Sequence, residues 1–384
     1  MTQIPAVLLP YVQALLRERP LPAPSLSDAR WRELLSALTE QWVVPLVFQR
    51  VAGSPSYVRP PTWVYEQLRG AYHESRLRAL RAEAQLREML GVFHDADCRV
   101  LVLKGIALGY AVYGDPAVRI SRDIDVLVRP EDVESAEEIL ERLGYRCAEK
   151  RHLPLVEEFH FQETFLHPRG PAYYPVELHW DINFHARVLR DGSGNDLFER
   201  AVTVQAGDLH LEALHPVDAL ICGAVHLTRS HGDDRRLLWL CDIAGLAGLL
   251  DGPEQWRELQ TRSVRFKARM AVEDALTAAW AALGMVRPQE CGNFTRWPKP
   301  TAEETASYSP RSAGRAWLTE IRRVLMRGGP GSCGVLVGFC LQTLFPRPTV
   351  MYLTARCRTR GELPLRYAQR WMKWLGKLFR SLSE

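Results

Sequence analysis

Apolar residues recur at three- and four-residue steps in the first part of the chain, which is typical of helices with one buried face. One such stripe consists of Trp31, Leu34, Leu35, Leu38 and Trp42. Ser25 and Asp28 have capping-box spacing before this stripe, and Pro45 is expected to end or kink the helix. A second, longer helix is predicted from Thr62 to about Phe93. These patterns predict a helical N-terminal lobe over residues 1–95.

The pattern changes near Cys98, where short continuous apolar runs replace the helical stripes. Such runs are typical of strands buried on both faces, and they are found at 100–103, 124–128, 145–148 and 176–182, with a looser alternation at 158–166. Helices are predicted between them at 106–113 and after Pro130, the second ending at Gly144. The sequence therefore predicts a small mixed β-sheet over residues 96–210.

Helical patterns dominate again after Leu209. They begin at Pro216, at Arg236 and at Trp256, and the last of these is expected to run to Leu283. Residues 291–311 are interpreted as a linker and 335–345 as a buried helix, and a basic amphipathic helix is predicted over 364–382. The predicted fold class is α+β, with a sheet core flanked by an N-terminal helical lobe and a C-terminal lobe at 211–384.

The composition favours a folded, reduced, cytoplasmic protein. The chain has 384 residues, of which 47% are hydrophobic and 24% charged, close to the averages for globular proteins. Its net charge is only +4, which argues against a dedicated surface for long nucleic acids. The eight cysteines have no C-x-x-C spacing, and the N-terminus lacks the features of a secretion signal.

The candidate chemistry lies in two of the predicted strands. Asp123 and Asp125 alternate with Ile124 and so project to the same side, where two like charges about 4 Å apart repel by roughly 4 kcal/mol. A divalent cation removes this repulsion, and oxygen ligands favour Mg²⁺ or Mn²⁺. Glu177, on a neighbouring predicted strand, is expected to be either the third ligand or the base that accepts the proton of an attacking hydroxyl.

Further polar residues lie near these acids in the sequence. Arg119 and Ser121 are candidate phosphate contacts, whereas Arg122 is equally well placed to form a surface ion pair. His179 shares a strand face with Glu177, and it is either a metal or phosphate contact or a hydrogen-bonded structural residue.

In these motifs the chain resembles the uncharacterised bacterial nucleotidyltransferases of the polymerase-beta-like superfamily. The resemblance covers about three quarters of the chain. It lies in Val102-Leu103-Lys104-Gly105-Ile106-Ala107-Leu108, Tyr113-Gly114-Asp115-Pro116, Arg119, Asp123-Ile124-Asp125-Val126-Leu127-Val128, Glu177-Leu178-His179-Trp180, and Arg236 with Trp239 and Asp242.

The resemblance implies transfer of a nucleotide from a nucleoside triphosphate, with ATP assumed, to an acceptor. A small molecule or peptide is favoured over long nucleic acid as that acceptor. The wider superfamily has a Gly-Ser turn after its first strand, and here Lys104-Gly105 takes its place. The resemblance implies that Lys104 and the Gly105 turn contact phosphate instead.

Several alternatives remain open. The altered turn is compatible with an inactive nucleotide-binding or scaffolding module, and the basic helix at 364–382 with a membrane-surface adaptor. Arg236, Trp239 and Asp242 either line the cleft or belong to the packed interior. A second metal site at His226, His231, Asp233 and Asp234 competes with a loop in which Asp233 caps the next helix.

Overall fold

A computed structural model describes most of the chain up to Ser307 and a short piece near the C-terminus. The described residues are 4, 8–19, 21–148, 161–182, 189, 192, 194–230, 235–307, 361, 364–369 and 371–372. The predicted helix at 335–345, together with His231, Asp233 and Asp234, lies outside this part of the chain. Within the described part, no helix is long and apolar enough to cross a membrane.

Helices precede and follow the sheet along the chain. In the described residues they are α1 (Leu9–Leu16), α2 (Asp28–Glu40), α3 (Val44–Ala52), α4 (Thr62–Asp95), α5 (Ile106–Tyr113), α6 (Val133–Arg142), α7 (Pro216–Val225), α8 (Leu237–Gly248), α9 (Gly252–Arg265), α10 (Arg269–Leu283) and α11 (Ala302–Ser307). The predictions of α4 and α5 agree closely with the observed bounds, because both helices start directly after a strong helix-breaking or turn sequence.

The sheet contains seven described strands and mixes parallel with antiparallel pairs. The strands are β1 (Leu101–Val102), β2 (Ile124–Leu127), β3 (Arg146–Cys147), β4 (Gln162–Leu166), β5 (Val176–His179), β6 (Val202–Ala206) and β7 (Leu209–Ala213). Their spatial order is β3-β4-β5-β2-β1-β7-β6. β2 pairs with β5, and β1 with β7, in parallel, while the other neighbours are antiparallel. The α+β class with a small mixed sheet is confirmed.

Alternation along the central strands divides the interior into two cores. Ile124 and Val126 face a core built with the second half of α4 and with α6, whereas Leu127 faces a core that contains α7, α8 and α10. Helices α1 to α3 contribute to this second core as well. A hydrogen bond of 2.9 Å from Gln13 Nε2 of α1 to Ala282 O of α10 joins residues that are 269 positions apart in the sequence. The N-terminal helices and α10 thus share one apolar interior.

Three local predictions were wrong, and one hairpin was not predicted. Pro45 lies in the first turn of α3, where its missing N–H costs nothing, so it begins a helix rather than ending one. The N-cap position of α2 is occupied by Ser27 rather than Ser25, and the Ser27 side chain makes no capping hydrogen bond. Lys267 adopts a φ of 51° and divides the predicted 256–283 helix into α9 and α10. The region after Leu209 begins with a strand, because β6 and β7 form a hairpin around Gly207.

The predicted linker at 291–311 is also wrong in its described part. Cys291, Phe294 and Trp297 are buried in the helical core, and α11 follows them. The indole N–H of Trp297 donates to Cys291 O at 2.8 Å, which closes a tight loop. The described part of this segment therefore packs against α10 and is not a linker.

Candidate active site

Two neighbouring parallel strands bring the candidate acids together. In the register of β2 and β5, Asp125 lies beside Glu177, and Leu127 lies beside His179. Side chains alternate along each strand, so Asp125, Glu177 and His179 project from the same face of the sheet. Adjacent strands are about 4.8 Å apart, which places these groups within reach of one another.

Asp125, Glu177 and His179 form a compact group, with one ligand atom from each lying within 4.8 Å of the others. His179 Nε2 lies 3.1 Å from Asp125 Oδ1 and 3.7 Å from Glu177 Oε2. Gln162 on β4 donates from Nε2 to Glu177 Oε2 at 3.1 Å and helps to fix that carboxylate. The imidazole is thus part of the acidic cluster.

Asp123 lies at the edge of this group, just before β2. Ser121 Oγ donates to the backbone oxygen of Asp123 at 2.9 Å and to its Oδ1 at 3.2 Å. The Asp123 carboxylate is close enough to Asp125 and Glu177 for their charges to affect it. All three predicted acids therefore belong to one electrostatic cluster, although Asp123 is outside its most compact part.

Lys104 enters the cluster from the turn after β1. Its Nζ lies 2.9 Å from Asp125 Oδ1, and its side chain is only 15% exposed. Gly105 follows with a φ of 57°, and a Cβ there would lie 3.3 Å from Ser121 Oγ. Glycine is favoured at this position by the backbone conformation and by the nearby Ser121 hydroxyl. The Lys104-Gly105 turn thus lies against both β2 and the segment preceding it.

The pKa shifts show which charges this arrangement favours. Burial alone would raise the pKa of Asp125, but the Lys104 ammonium and the hydrogen-bonded His179 ring hold it well below its usual range. Burial would lower the pKa values of Lys104 and His179, but their interactions with the carboxylates outweigh it and raise both. Burial, Asp125 and Glu177 together raise the pKa of Asp123 to about 6. This arrangement favours the ionised form of the Asp125 carboxyl group.

Arg119 is placed differently from a simple phosphate contact. Its Nη2 forms a 3.0 Å ion pair with Asp242 Oδ2 of α8, and both side chains are buried. Tyr113 donates from its hydroxyl to Asp242 Oδ1 at 2.8 Å. Burial raises the pKa of Asp242, while Arg119 and the Tyr113 hydroxyl oppose this rise. The pair fastens the segment before β2 to α8.

Arg236 and Trp239 lie at the start of α8 and contact Trp42. The sequence pattern assigns Trp42 only to the apolar face of α2. The Arg236 guanidinium lies 3.6 Å from the centre of the Trp42 ring, and that of Arg122 lies 4.4 Å from it. Trp239 meets Trp42 edge to face, with ring centres 5.9 Å apart, and contacts His226 in the same manner. Helical periodicity carries no signal for this cluster, because its members come from four separate segments.

The donor chemistry of the acidic cluster fits a divalent cation. Carboxylate oxygens suit Mg²⁺ and Mn²⁺, and an imidazole nitrogen is also accepted by Mn²⁺ and the later transition metals. The elevated pKa of Asp123 reflects repulsion from Asp125 and Glu177 in addition to burial, and a bound cation would reduce that repulsion. Asp125, Glu177 and His179 are thus able to provide ligands for such an ion, and Asp123 adds negative charge beside them.

Comparisons with known proteins identify a family for the chain. A search of curated proteins finds no match. A family model described as "Uncharacterised nucleotidyltransferase" matches residues 27–284, which include α2 through α10 and all seven described strands. From the sheet, its acidic cluster and this match, we conclude that the chain belongs to the uncharacterised nucleotidyltransferase family.

Proposed function

We propose that the protein is a Mg²⁺- or Mn²⁺-dependent nucleotidyltransferase that moves a nucleoside monophosphate from a nucleoside triphosphate to a hydroxyl or amine acceptor. The carrying observation is the strand register that sets Asp125 beside Glu177 in a chain of a nucleotidyltransferase family. Buried acids in such proximity are costly unless a cation or a basic side chain compensates them. Binding of the cation needed for nucleotidyl transfer would offset the repulsion and desolvation of these carboxylates.

In this proposal Asp123, Asp125 and Glu177 hold the cation, with His179 beside them. A bound divalent cation would neutralise phosphate charge and polarise the phosphorus–oxygen bonds. Lys104 keeps Asp125 ionised, and the resemblance in the Lys104-Gly105 turn implies that it also contacts phosphate. Gln162 and His179 hold the Glu177 carboxylate in place.

The transfer step requires one bond to form and one to break. The acceptor oxygen or nitrogen forms a bond to the α-phosphorus, and the bond from that phosphorus to the bridging oxygen of pyrophosphate breaks. Pyrophosphate leaves with the electron pair of the broken bond. The proton of the acceptor passes to a carboxylate oxygen of Glu177. Arg119, fastened to Asp242, serves to position the segment that carries Asp123 rather than to contact the reacting phosphate.

The substrates are proposed at the level of chemical class. ATP is the assumed nucleotide, and a small molecule or peptide is the favoured acceptor because the chain's net charge of +4 offers little for a long nucleic acid. A cytoplasmic location fits the cysteines, because none of the five described cysteines forms a disulfide bond with another.

The proposal is tested by comparing Asp125→Asn with Asp208→Asn, a matched change at an exposed acid on the β6–β7 turn that pairs with Arg87. Mn²⁺ with ATP should raise the melting temperature of the wild-type protein and of Asp208→Asn, but not that of Asp125→Asn. Pyrophosphate release from labelled nucleoside triphosphates, measured with panels of hydroxyl and amine acceptors, should follow the same order. Turnover that survives the combined Asp123→Asn and Asp125→Asn changes would refute the assigned site.

A second candidate is a nucleotide-binding module without turnover. Lys104 and His179 already compensate Asp125 within the fold, which is a specific observation in its favour. Metal-dependent nucleotide binding with no pyrophosphate release on any acceptor would support this alternative.

The membrane-adaptor hypothesis concerns a helix of which only 364–369 and 371–372 are described. Loss of liposome co-sedimentation on deleting residues 364–384 would support it.

A further inference from the structure

A cavity of about 520 Å³ lies among the C-terminal ends of α1, α5 and α10, and α3 and α8 complete its wall. Volumes of this size are typical of sites that bind small organic molecules. Tyr113 lines the cavity, and its hydroxyl donates to Asp242, the buried partner of Arg119. The described lining residues include no member of the acidic cluster, so the cavity is separate from the candidate active site.

The rim of the cavity exposes apolar surface directly after α10. Met285 and Val286 line the cavity and are 38% and 89% exposed. Scattered exposed apolar residues are normal on protein surfaces, whereas adjacent ones beside a concave site suit a ligand with a hydrocarbon group. Leu46 and Leu283 continue this apolar surface toward the helical core, where both are buried.

Three arginines give the cavity a positively charged wall. Arg17, Arg19 and Arg50 line it together with one carboxylate, that of Glu18. Glu18 Oε1 lies 2.7 Å from Arg50 Nη1 and compensates that guanidinium. Arg17 donates from Nη1 to the neutral carbonyl of Gly284 at 2.6 Å. Within the described part of the chain, the Arg19 side chain forms no hydrogen bond or ion pair. The wall therefore has an excess of positive charge.

Neutralising the nearby helix ends does not account for all of this charge. Helix C-termini attract cations, and Arg17 fits that role because it donates to a carbonyl at the end of α10. The end of α1, however, is closed by its own backbone. Arg19 N donates to Ala14 O at 2.9 Å and Glu18 N to Leu15 O at 3.0 Å, which is a Schellman arrangement. The Arg19 guanidinium thus remains available to a ligand.

Glu18 occupies a position at which glycine is usual. It follows Arg17, the C-terminal cap of α1, and has a φ of 58°. The left-handed conformation costs a residue with a side chain about 1 kcal/mol. Glu18 uses its side chain to hold the Arg50 guanidinium at the cavity. A strained residue with this role is consistent with a shaped binding site.

Cys241 also lines the cavity, but its thiol is poorly suited to covalent chemistry there. Burial raises the pKa of this thiol above its usual value, the neighbouring Asp242 adds to the rise, and Arg50 opposes it. A protonated thiol is a weak nucleophile and a weak metal ligand. The cavity therefore favours non-covalent binding.

We propose that this cavity binds a small organic anion that carries a hydrocarbon group. Its carboxylate or phosphate group lies beside Arg19 and Arg50, and its hydrocarbon part contacts Leu46, Leu283 and Val286. The inference goes beyond the proposed transfer reaction and does not depend on it. A purely apolar ligand is a poorer occupant, because it would remove water from the guanidinium groups without replacing the lost hydrogen bonds. A cationic ligand would be repelled by them.

Calorimetric titration of the full-length protein with octanoate, octanol and octylamine separates the charge of the head group from the hydrocarbon chain. Octanoate, kept below its micelle concentration, should bind at least about 10-fold more tightly than octanol, and octylamine should not bind. Octyl phosphate is titrated in parallel, and the tighter of the two anions identifies the head group. Octanol or octylamine binding as tightly as octanoate, or no binding of either anion, would overturn the proposal.

Substitution of the arginines tests the positively charged wall. Arg19→Gln should weaken octanoate binding by about 3- to 10-fold, and Arg50→Gln at least as much, because it leaves the Glu18 carboxylate uncompensated. Arg19 is exposed, so its variant should keep the wild-type melting temperature. Arg81→Gln is the matched control, because Arg81 is an exposed arginine of α4 outside the cavity lining. Wild-type affinity in Arg19→Gln, or an equal loss in Arg81→Gln, would contradict the assigned wall.

Two more variants test the hydrocarbon contact and the separation from the active site. Val286→Ser removes apolar surface at a position that is almost fully exposed, so it should fold normally and bind octanoate about 3-fold more weakly. Asp125→Asn should bind octanoate as wild type does, with or without Mn²⁺. Unchanged affinity in Val286→Ser would refute the hydrocarbon contact, and loss of binding in Asp125→Asn would refute a site separate from the acids.

Discussion

The buried pair of Arg119 and Asp242 should show an unequal response to loss of either partner. The two charged groups are 3.0 Å apart, and their side chains are 7% and 8% exposed. At an effective dielectric near 20, a separation of about 3 Å corresponds to an attraction of roughly 5 to 6 kcal/mol before desolvation is counted. Removing one partner of such a pair typically costs about 3 to 5 kcal/mol, because the other charge stays buried without compensation.

Asp242→Leu should therefore destabilise the protein more than Arg119→Met. A guanidinium cannot lose its proton in the interior, whereas a carboxyl group can become neutral by binding one, and the Tyr113 hydroxyl remains to donate to it. Burial already raises the pKa of Asp242, and loss of Arg119 removes an opposing charge. A folded-state pKa above the unfolded value makes the Arg119→Met penalty absent at pH values below the unfolded pKa and largest above the folded one.

Urea unfolding followed by tryptophan fluorescence measures these effects. We expect Asp242→Leu to lower the free energy of unfolding by about 3 to 5 kcal/mol, Arg119→Met by less, and the double variant by less than the sum. The Arg119→Met deficit should diminish between pH 7 and pH 5. A coupling energy near zero, or a larger loss in Arg119→Met than in Asp242→Leu, would contradict the assignment of Arg119 to structural pairing.

Two further changes test contacts around α8. Alanine at Gly245 would place a Cβ against Val112 Cγ1 of α5, so Gly245→Ala should cost about 1 to 3 kcal/mol in urea unfolding, and adding Val112→Ala should recover much of it. The reverse pattern, with the double variant less stable than Gly245→Ala, would show that the helices do not meet there. Gln41→Ala removes the side-chain oxygen that accepts from Leu237 N at the start of α8, so it should lower the free energy of unfolding by about 1 to 3 kcal/mol. Amide exchange at Leu237 should become faster. Unchanged exchange would refute the role of this hydrogen bond in capping α8.

Local sequence signals predicted the elements that carry their own boundaries. Gly144 ends α6 with a φ of 91°, as its position after an amphipathic stripe indicated. The β6–β7 hairpin was missed, although Gly207-Asp208 is a two-residue hairpin signal between alternating segments. Pro45 and Lys267 show a different limit. A proline is compatible with both the start and the end of a helix, and a lysine carries no sequence signal for the left-handed conformation that separates α9 from α10.

The acids of the site could be predicted from strand alternation, but their partners could not. Asp125 and Glu177 lie on strands that their apolar runs predict, and these two strands are neighbours in the sheet. By contrast, the contact of Lys104 with Asp125 depends on how the chain turns after β1, and the pairing of Arg119 with Asp242 joins segments more than a hundred residues apart. Trp42 gave no chemical signal, since an apolar residue at helical spacing is read as interior packing.

The core that α1 to α3 share with α10 has a consequence for biosynthesis. During translation, α1 to α3 emerge long before α10. They pack in the same core as α10, and Gln13 of α1 donates a hydrogen bond to Ala282 O of α10. At roughly 5 to 20 residues per second, the apolar faces of these early helices wait on the order of tens of seconds for their partners. The newborn chain is thus expected to need shielding by a chaperone, and ribosome-bound fragments ending before α10 should be sensitive to protease in α1 to α3.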